Sequence, residues 1–249
     1  MHSQTLIINE VSNGPAGSQE YVEFVVVDAS ATYDCTGSAP PCVDIRGWIY
    51  DDNSGYHGTS GIASGCARFT NDPLWSCVPV GTIILLYNGL DPNPDIPADD
   101  VSLLDGNCVL SVSLENPQFF EFTETTPGDI VCSYPATGWG TDPSPNWSNV
   151  AMANGGDCAR LVDLSGCEVF SLCYGAANLN PLIYFTGVGS DDVWFFNGGD
   201  PAVQANWSEG CAGDIAACGA NDQTPGAPNN TANADFIGQF NNYCAPIPP

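Results

Sequence analysis

Asp91-Pro92-Asn93-Pro94-Asp95 carries oxygen side chains at every second position, and Asp99-Asp100 follows four residues on. Ca²⁺ takes about six to eight oxygens from carboxylates, amides, carbonyls and water. Asp91, Asn93, Asp95 and Asp99 are therefore expected to ligate calcium, the one cofactor the residues suggest. The run lacks the central Gly and terminal Glu of an EF-hand, and Pro92, Pro94 and Pro97 stiffen it, so the competing reading is a solvated acidic turn. Asp51, Asp52 and Asn53 form a weaker second cluster.

Aromatic residues offer a second kind of chemistry. Asn146-Trp147-Ser148 recurs sixty residues later as Asn206-Trp207-Ser208. An exposed Trp stacks on a sugar face or anchors a protein partner, so Trp147 and Trp207 are candidate ligand-stacking residues; the alternative is that each seals a loop against the core. Both copies, and Asn229-Asn230-Thr231, also fit the N-glycosylation pattern.

Catalysis finds little support. The chain has two histidines: His2 sits at its start, and Gly55-Tyr56-His57-Gly58 reads as an exposed turn. Nucleophile-elbow, zinc-protease and phosphate-loop signatures are absent. Two carboxylates can hydrolyse a glycoside, and Glu115, Glu121 and Glu124 lie around Phe119, Phe120 and Phe122, but a solvated strand face explains them as well. The expectation is a non-enzymatic chain without catalytic residues.

Charge narrows the partners. Three Arg (Arg46, Arg68, Arg160) and no Lys stand against 29 carboxylates, a net charge of -26. Binding nucleic acid or an anionic membrane needs a cationic patch that this chain cannot build, and no run approaches the roughly 18 apolar residues of a membrane span.

Twelve cysteines without zinc-like spacing point to a disulfide framework and an oxidising, secreted or cell-surface location. Cys35, Cys42, Cys66, Cys77, Cys108, Cys132, Cys158, Cys167, Cys173, Cys211, Cys218 and Cys244 are all expected to be bridged. Short loops favour Cys35 with Cys42, Cys66 with Cys77 and Cys211 with Cys218. Met1 to Gln4 lead into a strand-like run with no apolar leader, as expected of a mature form.

These residues must be held by strands. Apolar or alternating runs at 6–11, 21–27, 45–50, 82–87, 101–104, 108–114, 118–122, 158–162, 167–174, 182–186 and 193–196 are bounded by Gly, Pro, Asn and Asp. Such short runs predict an antiparallel β-sandwich with Phe24, Trp48, Ile84, Leu86 and Leu161 inside. Residues 58–77 read as irregular and 123–156 as a long turn-rich stretch. Ala234, Phe236, Ile237 and Phe240 give a faint helical pattern.

Several segments, in order, resemble the lamin-tail domain family, particularly its secreted bacterial forms such as Bacteroidetes surface proteins. Leu6-Ile7-Ile8-Asn9-Glu10-Val11 resembles the opening strand, and Glu20-Tyr21-Val22-Glu23-Phe24 the next. Ile45-Arg46-Gly47-Trp48-Ile49-Tyr50-Asp51-Asp52 matches the Gly-Trp segment, and Pro79-Val80-Gly81-Thr82-Ile83-Ile84-Leu85 the Pro-Gly turn and strand. Asn154-Gly155-Gly156-Asp157 through Gly166 and Tyr174-Gly175 resemble the penultimate hairpin, and Gln223-Thr224-Pro225-Gly226-Ala227-Pro228-Asn229 the closing phrase.

The resemblance implies an all-β, immunoglobulin-like antiparallel β-sandwich with long disulfide-braced loops. It would be a single domain over 4–245, with insertions around 89–153 and 176–222 and the start of a linker at 246–249. It further implies a structural or adhesion module of a surface protein, calcium-stabilised if the 91–99 loop binds the ion. Partners would be a surface glycan or protein and neighbouring domains of a longer chain.

Overall fold

Runs of β-branched and aromatic residues separated by Gly, Pro, Asn and Asp produce strands wherever alternate side chains find a core. In a computed structural model, residues 5–16, 18–28, 41–52, 55–58, 62, 65–124, 134–142, 150–187, 189–214 and 219–240 are described. Their strands are β1 (Leu6–Ser12), β2 (Tyr21–Val26), β3 (Cys42–Val43), β4 (Ile49–Asp51), β5 (Cys66–Phe69), β6 (Val78–Pro79), β7 (Ile83–Tyr87) and β8 (Val109–Ser113). They continue with β9 (Phe120–Thr123), β10 (Cys158–Val162), β11 (Glu168–Tyr174), β12 (Ile183–Phe185), β13 (Asp192–Phe196) and β14 (Trp207–Cys211).

A first six-stranded sheet runs β14-β13-β1-β2-β7-β8 and a second runs β12-β11-β10-β4-β5-β9, with β3 and β6 pairing apart. The sheets are mixed, which corrects the all-antiparallel expectation: β7 with β8 and β11 with β12 are parallel. The 88–108 connection is long enough for a crossover. At β11 only Leu172 to Tyr174 are matched by β12, so a short return suffices. The strand expected at 101–104 is absent. Val101 is exposed and Leu104 is 85% exposed, with the chain in bends after the Asp100–Ser111 bridge.

The sheets share one core, to which all five predicted core residues belong. Rings interlock across it: Phe24 lies edge-on to Tyr50 at 6.1 Å, and Tyr174 stacks on Trp194 at 4.1 Å. The faint helical pattern becomes α1 (Thr231–Gly238), whose N-cap Asn230 side chain accepts from the Asn233 N–H. This cap satisfies an end group that would otherwise lack a partner.

Cysteine pairing departs from the short-loop expectation. Cys42 bonds Cys77, not Cys35, and Cys66 does not take Cys77. The β3–β6 ladder, with Val43 opposite Val78, sets Cys42 diagonally beside Cys77. Cys158 bonds Cys173, its cross-strand neighbour in β10–β11. Cys108 and Cys211 are also disulfide-bonded. Cys66 and Cys167 stand as thiols, Cys66 buried and Cys167 exposed, which corrects the expectation that every cysteine is bridged. Cys35, Cys132, Cys218 and Cys244 lie outside the described residues.

Candidate functional site

The predicted calcium ligands face separate neighbours. Asp91 Oδ2 accepts from the Ser18 main-chain N–H at 3.1 Å. Asn93 donates from Nδ2 to Gln19 O and to Gln223 Oε1, at 3.3 and 2.6 Å. Asp95 Oδ2 accepts from Asn221 Nδ2 at 2.7 Å, and Asp99 Oδ1 accepts from the Tyr87 hydroxyl. These side chains tie the loop to residues 18–19, to 221–223 and to β7. Among the described residues no group of three or more His, Cys, Asp or Glu side chains is arranged to hold a metal ion.

Trp147 lies outside the described residues. Trp207 is 6% exposed, with its ring 5.9 Å from Phe170 and 5.4 Å from Phe196. Its indole N–H donates to Pro201 O at 2.9 Å. Trp207 therefore seals the core and presents no free face for stacking.

His57, expected in an exposed turn, is buried. The 3-10 turn Gly55–His57 folds onto the outer face of the second sheet, so Nε2 meets Glu168 Oε2 and Nδ1 meets Leu179 O, each at 3.0 Å. Both ring nitrogens are engaged by protein acceptors, leaving none to act on a substrate. Arg160, with a fully buried side chain, donates from Nε to Glu168 Oε2 and from Nη1 to the Tyr134 hydroxyl, at 3.0 and 3.1 Å. It also lies 4.1 Å over the Tyr56 ring. Burial pushes the Glu168 carboxyl up, but hydrogen bonds from His57 and Ser171 with the charges of His57 and Arg160 hold it below its ordinary value.

The chain's three guanidinium groups all belong to this side of the molecule. Ala67, Phe69, Phe120, Phe122, Ala159 and Leu161 face the core, so strand alternation turns Arg68, Glu121 and Arg160 outward. Arg68 stands opposite Glu121, bonds it through Nε at 2.9 Å and lies 4.3 Å over the Trp139 ring. Arg46, in the turn before β4, is paired with Asp44 through Nε at 2.9 Å. That turn depends on Gly47, whose φ of +77° is costly for other residues and where a Cβ would stand 2.7 Å from Leu164 Cδ1.

Between the two ion pairs runs a groove of ≈ 560 Å³, lined by Trp48 and Phe69 and edged by Leu164. Leu164 is 77% exposed. A second hollow of ≈ 260 Å³, lined by Tyr134 and Trp139, shares Gly47, Arg68 and Leu164 with it. Each ion pair sets planar donors beside acceptors with little net charge, and Trp139 adds an apolar plane. This arrangement can hydrogen-bond and stack on a ligand; it offers no activated nucleophile. The acids considered for glycoside hydrolysis separate: Glu121 is tied to Arg68, whereas Glu115 follows β8 of the first sheet and accepts from Gly89 N and Ser113 Oγ.

The first sheet's outer face carries two buried carboxylates that sequence reading did not single out as a site. Glu10 on β1 and Glu23 on β2 are cross-strand neighbours beside a bulge. Glu10 Oε1 accepts from Thr224 N at 3.0 Å and also from the Tyr21 hydroxyl, and Oε2 accepts from Thr224 Oγ1 at 2.8 Å. Glu23 accepts from Asn9 Nδ2 and Gly226 N, both at 2.7 Å. Asn229 Nδ2 donates to Asn9 O and Phe196 O, at 3.3 and 3.4 Å, and Asn233 Nδ2 to Asn9 Oδ1 at 2.7 Å. The closing segment is thereby clasped across the opening hairpin. Burial raises Glu10 to about 7. Burial, then the Glu10 charge, drives Glu23 well above its ordinary value.

No family model matches the chain, and no curated protein matches it. Among solved structures it is similar to the crystal structure of a DUF4876 family protein from Bacteroides thetaiotaomicron VPI-5482, with 12% sequence identity, 78% of this chain covered and a TM-score of 0.43. The match spans 62% of that protein's chain. Among the described residues, no helix is long and apolar enough to cross a membrane.

Proposed function

We propose that the chain is a non-enzymatic extracellular module, structural or adhesive, of a bacterial surface protein, and that it meets its partner through the groove on the second sheet. The observation that carries this reading is the pairing of Arg46 with Asp44 and Arg68 with Glu121 around Trp48, Trp139 and exposed Leu164. On a chain of net charge -26, this face combines ion-paired guanidinium groups with accessible apolar surface. Its architecture is read as a lamin-tail-like, immunoglobulin-like sandwich over 4–245 with insertions around 89–153 and 176–222. Support comes from the clasp, in which Asn9, Glu10 and Glu23 of the opening segments meet Thr224, Gly226 and Asn229 of the closing phrase.

A second reading, a carbohydrate-binding module, is favoured by Trp139 beside Arg68, since a flat ring with adjoining donors and acceptors suits a sugar face and its hydroxyls. Titration calorimetry with neutral oligosaccharides and with purified surface proteins tests both readings. Binding lost in Trp139→Ala and Arg68→Ala, with the fold retained by circular dichroism, supports the groove. Binding unchanged in both variants removes it, and the class of ligand bound decides between the readings.

A further inference from the structure

Where the two sheets meet beyond the ends of β1, β2 and β4, the chain buries acids with no guanidinium to answer them. Asn13 follows β1 and Glu20 precedes β2, each next to the last pair of that ladder, Ser12 opposite Tyr21. Glu20 also adjoins β7, its carbonyl accepting from Asn88 N at 3.2 Å. Each lies two residues from a core valine, Val11 or Val22, so alternation aims both side chains toward the second sheet. On that side Asp52 follows β4 and Asp157 precedes β10. Asp52 Oδ2 accepts from Ala151 N, and Asp157 accepts from Ala153 N and Cys158 N.

Two oxygens in this region have no partner. Glu20 is 3% exposed and Asn13 5%, yet Glu20 Oε2 and Asn13 Oδ1 make no hydrogen bond. A buried acceptor without a donor costs about 1–3 kcal/mol, more if charged. Asn13 Nδ2 is engaged by Asn154 Oδ1 at 2.8 Å, which fixes the amide with its oxygen unanswered. The three Arg are committed elsewhere, to Asp44, Glu121 and Glu168. These are the surroundings in which a positive charge is missing.

We propose that a hard divalent cation, Ca²⁺, binds at this junction, with Glu20 Oε2 and Asn13 Oδ1 as ligands and Asp52 supplying further negative charge. The donors are all oxygen, the set such a cation takes. Among the described residues no group of three or more His, Cys, Asp or Glu side chains is arranged to hold a metal ion, so the remaining oxygens would have to come from main-chain carbonyls and water. The site is separate from the groove and does not rest on the function assigned to it. It also differs from the alternating 91–99 loop, whose Asp95 and Asp99 are bonded to Asn221 and Tyr87.

The test is thermal unfolding of the chelator-stripped 249-residue chain at pH 8, with and without CaCl₂. Variants are Glu20→Gln, Asp52→Asn and the double variant Asp95→Asn/Asp99→Asn. At about a hundredfold excess over Kd, linkage predicts a melting-point rise of roughly 5–10 °C. The rise should vanish in Glu20→Gln, shrink in Asp52→Asn and persist in the double variant. Glu20→Gln alone should melt no lower than the stripped wild type, because it removes an unanswered buried charge, and this outcome separates lost binding from a lost fold. Absence of a calcium shift in the wild type up to about 10 mM, or a shift that survives Glu20→Gln, overturns the proposal.

Discussion

The outer faces of the two sheets solve the same problem by different means. Both place carboxylates under a covering segment, fully buried on the first sheet and half-buried on the second. On the first sheet, Glu10 and Glu23 are answered by neutral donors, namely the Thr224 and Gly226 main-chain N–H groups, the Tyr21 hydroxyl and the Asn9 amide. On the second, Glu168 is answered by Arg160 and His57. Neutral donors leave burial dominant, so Glu10 and Glu23 rise; cationic partners outweigh it, so Glu168 falls. With three cations for 29 carboxylates, only one face can use the second solution.

The largest effect should come from removing the cation of the second face. Arg160→Ala leaves Glu168 without its guanidinium and is expected to cost about 3–5 kcal/mol, as breaking a buried pair from one side does. Urea unfolding measures it. A loss below about 1 kcal/mol would mean that water reaches Glu168 and that the two faces are not different in kind.

Next is the clasp. Glu23 accepts from donors on both oxygens, so Glu23→Gln turns an N–H against a donor and should cost about 1–3 kcal/mol. Glu10 Oε2 meets the Thr224 hydroxyl, which can rotate to accept. Glu10→Gln should therefore cost clearly less than Glu23→Gln under the same urea protocol. Equal losses would show that charge, and not donor geometry, holds the closing segment.

The faces should also respond oppositely to pH. Glu10, raised to about 7, contributes stability that is fully present below its unfolded value near 4.5 and is lost as pH rises through about 7. Glu20 and Asp52, each near 8, and Asp192, raised by burial to about 6, act in the same direction. Glu168, held low, contributes stability present above its unfolded value and lost as pH falls through its folded one. With calcium chelated, the melting point should climb from pH 9 to about 5 and decline only under stronger acid. Glu23→Gln leaves the Glu20 and Asp52 slopes in place, while Arg160→Ala should flatten the acid limb. A melting point that rises steadily from pH 5 to 9 would contradict the assignment.

The sequence carried the strands better than their coverings. β2, β7 and β10 follow apolar alternation, and Phe24, Trp48, Ile84, Leu86 and Leu161 fall in the core as periodicity requires. β5, Cys66-Ala67-Arg68-Phe69, lay hidden in a stretch read as irregular because Cys and Ala are weak strand signals. β14, Trp207-Ser208-Glu209-Gly210-Cys211, was missed because Ser, Glu and Gly interrupt its apolar pattern. Glu10 and Glu23 gave no signal as a site and His57 read as an exposed turn, because period-two alternation tells which face a residue takes and nothing about what later covers it. Glu10 is covered by Thr224, more than two hundred residues on, and His57 meets Glu168 across 111. The Asp91 to Asp99 oxygens were legible as a cluster, but the donors they meet at Ser18, Asn221 and Tyr87 come from elsewhere in the chain.

The smallest stability effect belongs to the groove, where the consequence for binding should be greatest. Arg68 and Glu121 are partly exposed, and such pairs are worth about 0–1 kcal/mol. Arg68 over Trp139 adds about 0.5–1 kcal/mol if it behaves as an exposed cation–π contact. Arg68→Ala and Trp139→Ala should therefore each lower stability by about 1 kcal/mol, and a double-mutant cycle should return a coupling of about 0.5–1 kcal/mol. Arg160 cannot be treated this way, since its own side chain is fully buried. A coupling near zero would detach Trp139 from Arg68 in solution and dissolve the wall shared by the two hollows. A coupling in the expected range, with ligand binding lost in both single variants, would separate the second face into a buried Arg160 network that holds the fold and an exposed Arg68 pair that serves recognition.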